Sequence, residues 1–111
     1  MQKEIEGVTF EWKDNGVQRY WTTTANGIVW DVGQNRGETC WWVWAHRRGA
    51  ITTVNEPGSP NTLPGVLWEP GGHQQPADYW MKKVAGLIRD KVDPWSMEER
   101  TKKDVSEIHH A

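Results

Sequence analysis

Two Asn-Gly pairs, Asn15-Gly16 and Asn26-Gly27, punctuate segments in which apolar and polar residues alternate. No other feature restricts the fold of this chain so much. A two-residue type I′ turn needs positive φ at both central positions, and Asn-Gly supplies it at the least steric cost. Each pair therefore predicts a hairpin and, with it, a register. A loop at Asn15-Gly16 sets Val8 opposite Thr23, Phe10 opposite Trp21 and Trp12 opposite Arg19. A loop at Asn26-Gly27 sets Trp21 opposite Val32, Thr23 opposite Trp30 and Ala25 opposite Ile28.

Opposed residues share a sheet face. One face, A, then collects Val8, Phe10, Trp12, Trp21, Ile28, Trp30 and Val32. The other, B, collects Thr9, Glu11, Lys13, Gln18, Tyr20, Thr22, Thr24, Val29 and Asp31. Two turns placed without reference to hydrophobicity put nearly every large apolar side chain on one side. A slip of one residue would destroy that agreement.

The stretch "TCWWVWAH" (39–46) continues the sheet. A loop at Arg36-Gly37, or over 35–38, places Trp41 opposite Val32 and Val43 opposite Trp30, on face A. Trp42 and Trp44 then fall on face B, because adjacent strand residues point to opposite sides. A tight "RRG" turn leads to a short, Thr-rich fifth strand, "AITTV" (50–54), suited to a sheet edge. The chain has nine tryptophans and one phenylalanine. Each tryptophan can bury roughly 200 Å², which compensates for a mean hydropathy of −0.81.

All six prolines follow residue 56. Residues 56–75 hold four of them and four glycines, which predicts a long loop anchored by "VLW" (66–68). Loops of this length are often functional. "PADYWMKKVAGLIRDKV" then reads as a helix over about 76–91. Pro76 and Asp78 suit its first turn, and Trp80, Val84, Leu87 and Ile88 form one apolar stripe. Gly86 predicts close packing. The stripe is expected to cover face A. Asp93 and Pro94 restart a helix signal, so 93–111 reads as a short C-terminal helix or tail, with Trp95 as an anchor to this chain or, as the alternative, to a partner. The predicted fold is α+β: an antiparallel meander of four to five strands over about 7–54, one helix on one face, a single domain over 1–92, then the tail.

Little in the sequence points to chemistry. The histidines, His46, His73, His109 and His110, form no H-x-H, C-x-x-C or H-E-x-x-H pattern, so no metal or cofactor is expected. Cys40 and His46 lie six residues apart, roughly 20 Å along a strand, too far for a dyad. Glu69 and His73 read as a surface pair. No phosphate-binding or nucleophile-elbow motif occurs, and a non-enzymatic role is expected. The formal charge is −2, with 13 basic and 15 acidic residues and no basic excess in either half, which counts against a polyanion partner. The charged start "MQKEIEG" and the absence of a long apolar run point to a cytoplasmic protein without a membrane segment.

Face B therefore carries the functional expectation. The candidate binding residues are Tyr20, Trp42, Trp44, His46, Arg47 and Arg48, with Trp68 in the loop and Trp95 in the tail. An aromatic patch with a polar rim is typical of interfaces. The first expectation is a protein-binding module, of the inhibitor, adaptor or phage-accessory kind, that binds a protein partner or a second copy of itself. The second is single-stranded nucleic-acid binding by stacking on Tyr20, Trp42 and Trp44; the meander-then-helix order is similar to that of coactivator-type single-stranded DNA-binding domains. The third is a Trp-lined site for a small molecule or sugar. The competing structural reading is that the chain's own loop or tail buries face B.

Overall fold

The structure, a computed structural model, describes residues 1–56, 67, 69–71 and 74–95. Six strands form one antiparallel sheet in sequence order: β1 (Gln2–Ile5), β2 (Val8–Asp14), β3 (Gln18–Ala25), β4 (Ile28–Asn35), β5 (Trp42–Arg47) and β6 (Ala50–Thr53). One helix, α1 (Ala77–Arg89), follows. The architecture is α+β, as the pattern predicts, but with six strands instead of four to five. The additional strand is β1. It pairs Ile5 with Val8 and Lys3 with Phe10 across the turn Glu6-Gly7, where both residues have positive φ, 50° and 84°. A glutamate in this conformation hides the turn from sequence rules that look for Asn or Asp.

The Asn26-Gly27 hairpin has the derived register: Trp21 pairs with Val32, Thr23 with Trp30 and Ala25 with Ile28. Both turn residues are left-handed, at 55° and 77°. The first hairpin differs. Trp12 pairs with Trp21 and Asp14 with Arg19, a shift of two residues from the expected register. Its tight turn is Gly16-Val17, closed by the Asn15 N–H donating to Gln18 O at 3.0 Å. Asn15 acts through its side chain, whose Oδ1 accepts the Val17 and Gln18 N–H groups at 3.0 and 2.7 Å. The β4–β5 connection also runs longer than expected. Val43 pairs with Val32 and Trp42 with Gly33, again two residues from the expected register. Neither shift moves a side chain to the other face. Arg48-Gly49, with φ of 47° and 81°, forms the tight turn into β6, the expected edge strand.

Face A is the core. Phe10, Trp21, Ile28, Trp30, Val32, Val43 and Ala45 are buried there, with Val54 beyond the end of β6. Helix α1 supplies Trp80, Met81, Val84 and Ala85, all buried, and Leu87 and Ile88 pack at the margin of the same cluster. Lys3 ties the first helical turn to β1 through Asp78 at 2.6 Å, and Asn26 donates to Ile88 O at 3.4 Å near the helix end. Trp41 joins the core margin, as expected. Its carbonyl accepts from Asn55 Nδ2 at 3.0 Å, while Asn55 Oδ1 accepts the Val43 N–H at 3.0 Å. Asn55 is itself 1% exposed, so one amide satisfies two backbone groups at the edge of the core.

Gly86 does not serve close packing: a Cβ there would meet only Arg89 Nη2, at 3.5 Å. Leu67 packs against the core and donates its N–H to Val54 O at 2.8 Å, which accounts for part of the predicted loop anchor. Its neighbours Val66 and Trp68 lie outside the described residues, as do most of the predicted loop and everything after Trp95. Asp93 Oδ1 accepts the Trp95 N–H at 2.9 Å, the bond expected of an N-cap. No helix among the described residues is long and apolar enough to cross a membrane.

Candidate functional site

With α1 on face A, face B retains partly exposed apolar side chains. Three rows of paired residues cross it. Tyr20, Gly33 and Trp42 form one row. Thr22, Asp31, Trp44 and Thr53 form the next. Thr24, Val29, His46 and Ile51 form the third. Tyr20, Val29, Trp42 and Trp44 are half-buried, and Ile51 is 69% exposed. An open trough of about 720 Å³ runs over this surface, lined by Val29, Asp31, Trp44, His46, Arg48 and Ile51 among others.

The Trp44 ring packs where Gly33 has no side chain. A Cβ on Gly33 would lie 2.8 Å from Trp44 Cζ3 and 2.8 Å from Tyr20 Cβ. The glycine thus makes room for the indole to lie on the backbone of β4, beside Tyr20. This aromatic-over-glycine contact pins an interior strand glycine that would otherwise weaken the sheet. Trp42 is oriented differently, with its Nε1–H donating to Glu38 Oε2 at 3.2 Å.

At the centre of the trough His46 Nε2 lies 2.9 Å from Asp31 Oδ2. The Asp31 side chain is 14% exposed and that of His46 39%. Asp31 Oδ1 is buried with no hydrogen-bond partner among the described residues. The carboxylate orients the ring, a pairing by which proteins fix a histidine for hydrogen bonding or proton transfer. The face supplies no hydroxyl or thiol hydrogen-bonded to that ring among the described residues. No cluster of three or more His, Cys, Asp or Glu suited to a metal occurs among them either. The pairing escaped sequence reasoning because the predicted register set Trp42, not Trp44, opposite Asp31. In the true register His46 is one row from Asp31 on the adjacent strand, a diagonal neighbour on the same face.

Of the other predicted site residues, Arg47 and Arg48 both border the trough, and with Trp95 they line a second open cavity at the sheet end. Arg48 lies on the rim of the trough. Arg47 has the parity of Val43 and Ala45, and its guanidinium reaches the segment after α1. It bonds Asp93 at 2.7 Å and lies 4.6 Å from the Trp95 ring centroid. Trp95 therefore anchors on this chain, at the sheet end, and packs against the core margin. Trp68 lies outside the described residues, as does His73, the partner proposed for Glu69. Glu69 accepts a 2.5 Å hydrogen bond from Tyr79 Oη. That bond raises the Tyr79 pKa above its ordinary value, with burial and the Glu69 charge acting in the same direction. Cys40 is half-buried in the connection before β5.

Charge on face B is mixed, with acid in excess. Glu4, Glu11 and Asp31 face Lys13 and Arg48, and Lys13 sits 3.2 Å from Glu11. No protein-family model, curated protein or solved structure matches the chain.

Proposed function

We propose that this chain is a non-enzymatic binding module and that face B is the surface with which it binds another protein. The observation that carries the reading is the combination of an exposed Ile51 with the half-buried rings of Tyr20, Trp42 and Trp44 on a sheet braced from behind by α1. Aromatic anchors on a rigid support, rimmed by threonines and charges, have the composition of an interface core with its polar rim. Single-stranded nucleic acid fits less well. Stacking on Trp44 is available, but the carboxylates of Glu4, Glu11 and Asp31 outnumber the cations that would meet phosphates.

Ile51→Asp is the cleanest probe, because a side chain this exposed contributes little to stability, within about 0.5 kcal/mol. Immobilised wild-type chain is expected to retain a host protein that both Ile51→Asp and Trp44→Ala release, while Ile51→Asp melts with the wild type. Retention by all three forms would overturn the reading. So would tryptophan quenching by oligonucleotides that weakens steeply with salt and depends on Trp44.

A further inference from the structure

Asp31 is sunk into the floor of the trough, with its side chain 14% exposed. Its Oδ2 meets His46 at 2.9 Å, while Oδ1 is buried without a hydrogen-bond partner. No lysine or arginine forms an ion pair with this carboxylate among the described residues. His46 balances the charge only when it is protonated. A sunken carboxylate without a cation is costly, and a cation brought to it offsets part of that cost.

The surroundings of Asp31 suit the rest of a long basic side chain. Trp44 is its cross-strand partner on the same face, and Val29 and Ile51 line the trough nearby. A half-buried indole attracts a cation laid on its ring, and apolar neighbours take a methylene stem. The trough, about 720 Å³, is within the range of small-ligand sites, about 300–1,000 Å³. The chain's own cations stand apart. Arg47 is held by Asp93 at 2.7 Å. Arg48 is four residues along the chain from Trp44, about 13 Å at the usual strand rise. That exceeds the screening length of about 10 Å at 0.1 M salt.

We infer that the trough is a receptor for a guanidinium, and that the protein bound on face B presents an arginine there, its charge over Asp31 and its head against Trp44; this rests on the reading of face B as a protein-binding surface. Arginine is favoured over lysine because its planar, weakly hydrated head stacks on an aromatic ring and leaves water more readily. The guanidinium charge acts on the whole carboxylate, so contact through the exposed part also compensates Oδ1. His46 keeps its place on Oδ2 and holds the carboxylate in position.

The test is a titration of the full chain with N-acetyl-arginine methylamide, followed in proton–nitrogen correlation spectra of the indole N–H groups, with Trp44→Phe identifying the Trp44 signal. N-acetyl-citrulline methylamide, isosteric but uncharged, is the control. The arginine derivative is expected to shift the Trp44 signal saturably with a Kd of about 1–10 mM at low salt, the strength of one charge-assisted contact beside a ring. The citrulline derivative should bind about tenfold more weakly, and Asp31→Asn should weaken arginine binding about tenfold. The comparison of the two derivatives uses the wild type alone, so it decides the matter even where Asp31→Asn does not fold. Host protein retained on immobilised wild-type chain should be released by the arginine derivative and not by the citrulline derivative at matched ionic strength. Equal binding of the two derivatives, or no saturable shift up to about 50 mM, overturns the inference. An Ile51-dependent host protein that the arginine derivative does not release overturns it too, and leaves the protein-binding reading standing. Saturable arginine binding with no host protein retained overturns that reading, and with it the partner as the source of the guanidinium.

Discussion

Gly33→Ala should destabilise this protein, although alanine normally strengthens a strand relative to glycine. Gly33 is buried and extended in β4, between Tyr20 and Trp42 in the pairing. A Cβ there meets Trp44 Cζ3 at 2.8 Å, Tyr20 Cβ at 2.8 Å and Arg19 O at 3.0 Å. Carbon contacts are most favourable at about 3.5–4.0 Å, so every one of these must open by several tenths of an ångström. Trp44 can swing aside, but Tyr20 Cβ and Arg19 O belong to the backbone frame of β3, which the sheet holds. Overpacking of this kind costs about 1–3 kcal/mol, and the entropy recovered by removing a glycine returns about 0.5–1 kcal/mol. A net loss of about 1.5 kcal/mol lowers Tm by roughly 6–12 °C at the slope usual for a domain near this size. Gly86→Ala is the matched control. Its Cβ meets only Arg89 Nη2 at 3.5 Å in the middle of α1, so the same change should stabilise by about 0.8 kcal/mol and raise Tm by several degrees. Both are read by thermal melting in circular dichroism, with tryptophan emission reporting Trp44 as it lifts. A Gly33→Ala melt at or above the wild type would refute the packing described for face B.

Asn55→Ala should lower stability by about 2–4 kcal/mol, read as a lower urea midpoint at unchanged m, because the Val43 N–H and the Trp41 carbonyl both lose a buried partner. Alkaline titration followed at 295 nm, with Tyr79→Phe as the difference, should show Tyr79 ionising above its ordinary value of about 10, and Glu69→Gln should bring it back down. The native state favours the protonated phenol, so this contribution to stability is whole below the ordinary tyrosine value and is lost only as pH rises through the raised one. A difference in stability between the wild type and Glu69→Gln that changes with pH across the neutral range would contradict it.

What was legible in the sequence divides along a physical line. Asn26-Gly27 adopts left-handed φ at both positions, so the turn rule returns the β3–β4 register residue for residue. Asn15-Gly16 offers the same dipeptide, yet only Gly16 has positive φ, because the Asn15 carboxamide captures two backbone N–H groups and moves the turn one residue on. Asparagine has both options, and the dipeptide does not say which is taken. β1 was hidden for a different reason: a glutamate at Glu6 takes the place that Asn or Asp would hold, and strand pairing imposes the conformation. Pairing with β2 and packing of Ile5 against the core margin outweigh the local preference. The helix was easier, since a four-residue repeat of apolar side chains survives an error of a residue or two at either end.

Both register errors were of two residues, and that number decides what survived them. The face a strand residue occupies depends only on whether its position is odd or even relative to its partner, whereas its neighbours depend on the full register. A hairpin loop lengthened by two, or a turn moved by one, leaves parity intact. The assignment of Trp42 and Trp44 to one face and Val43 to the other therefore held through two wrong pairings. The Asp31–His46 contact did not, because it is a statement about neighbours. Face B as a surface could be read from alternation alone. The trough within it, the ring on Gly33 and the carboxylate on His46, required the lengths of the connections, and these are set by side-chain hydrogen bonds in the turns.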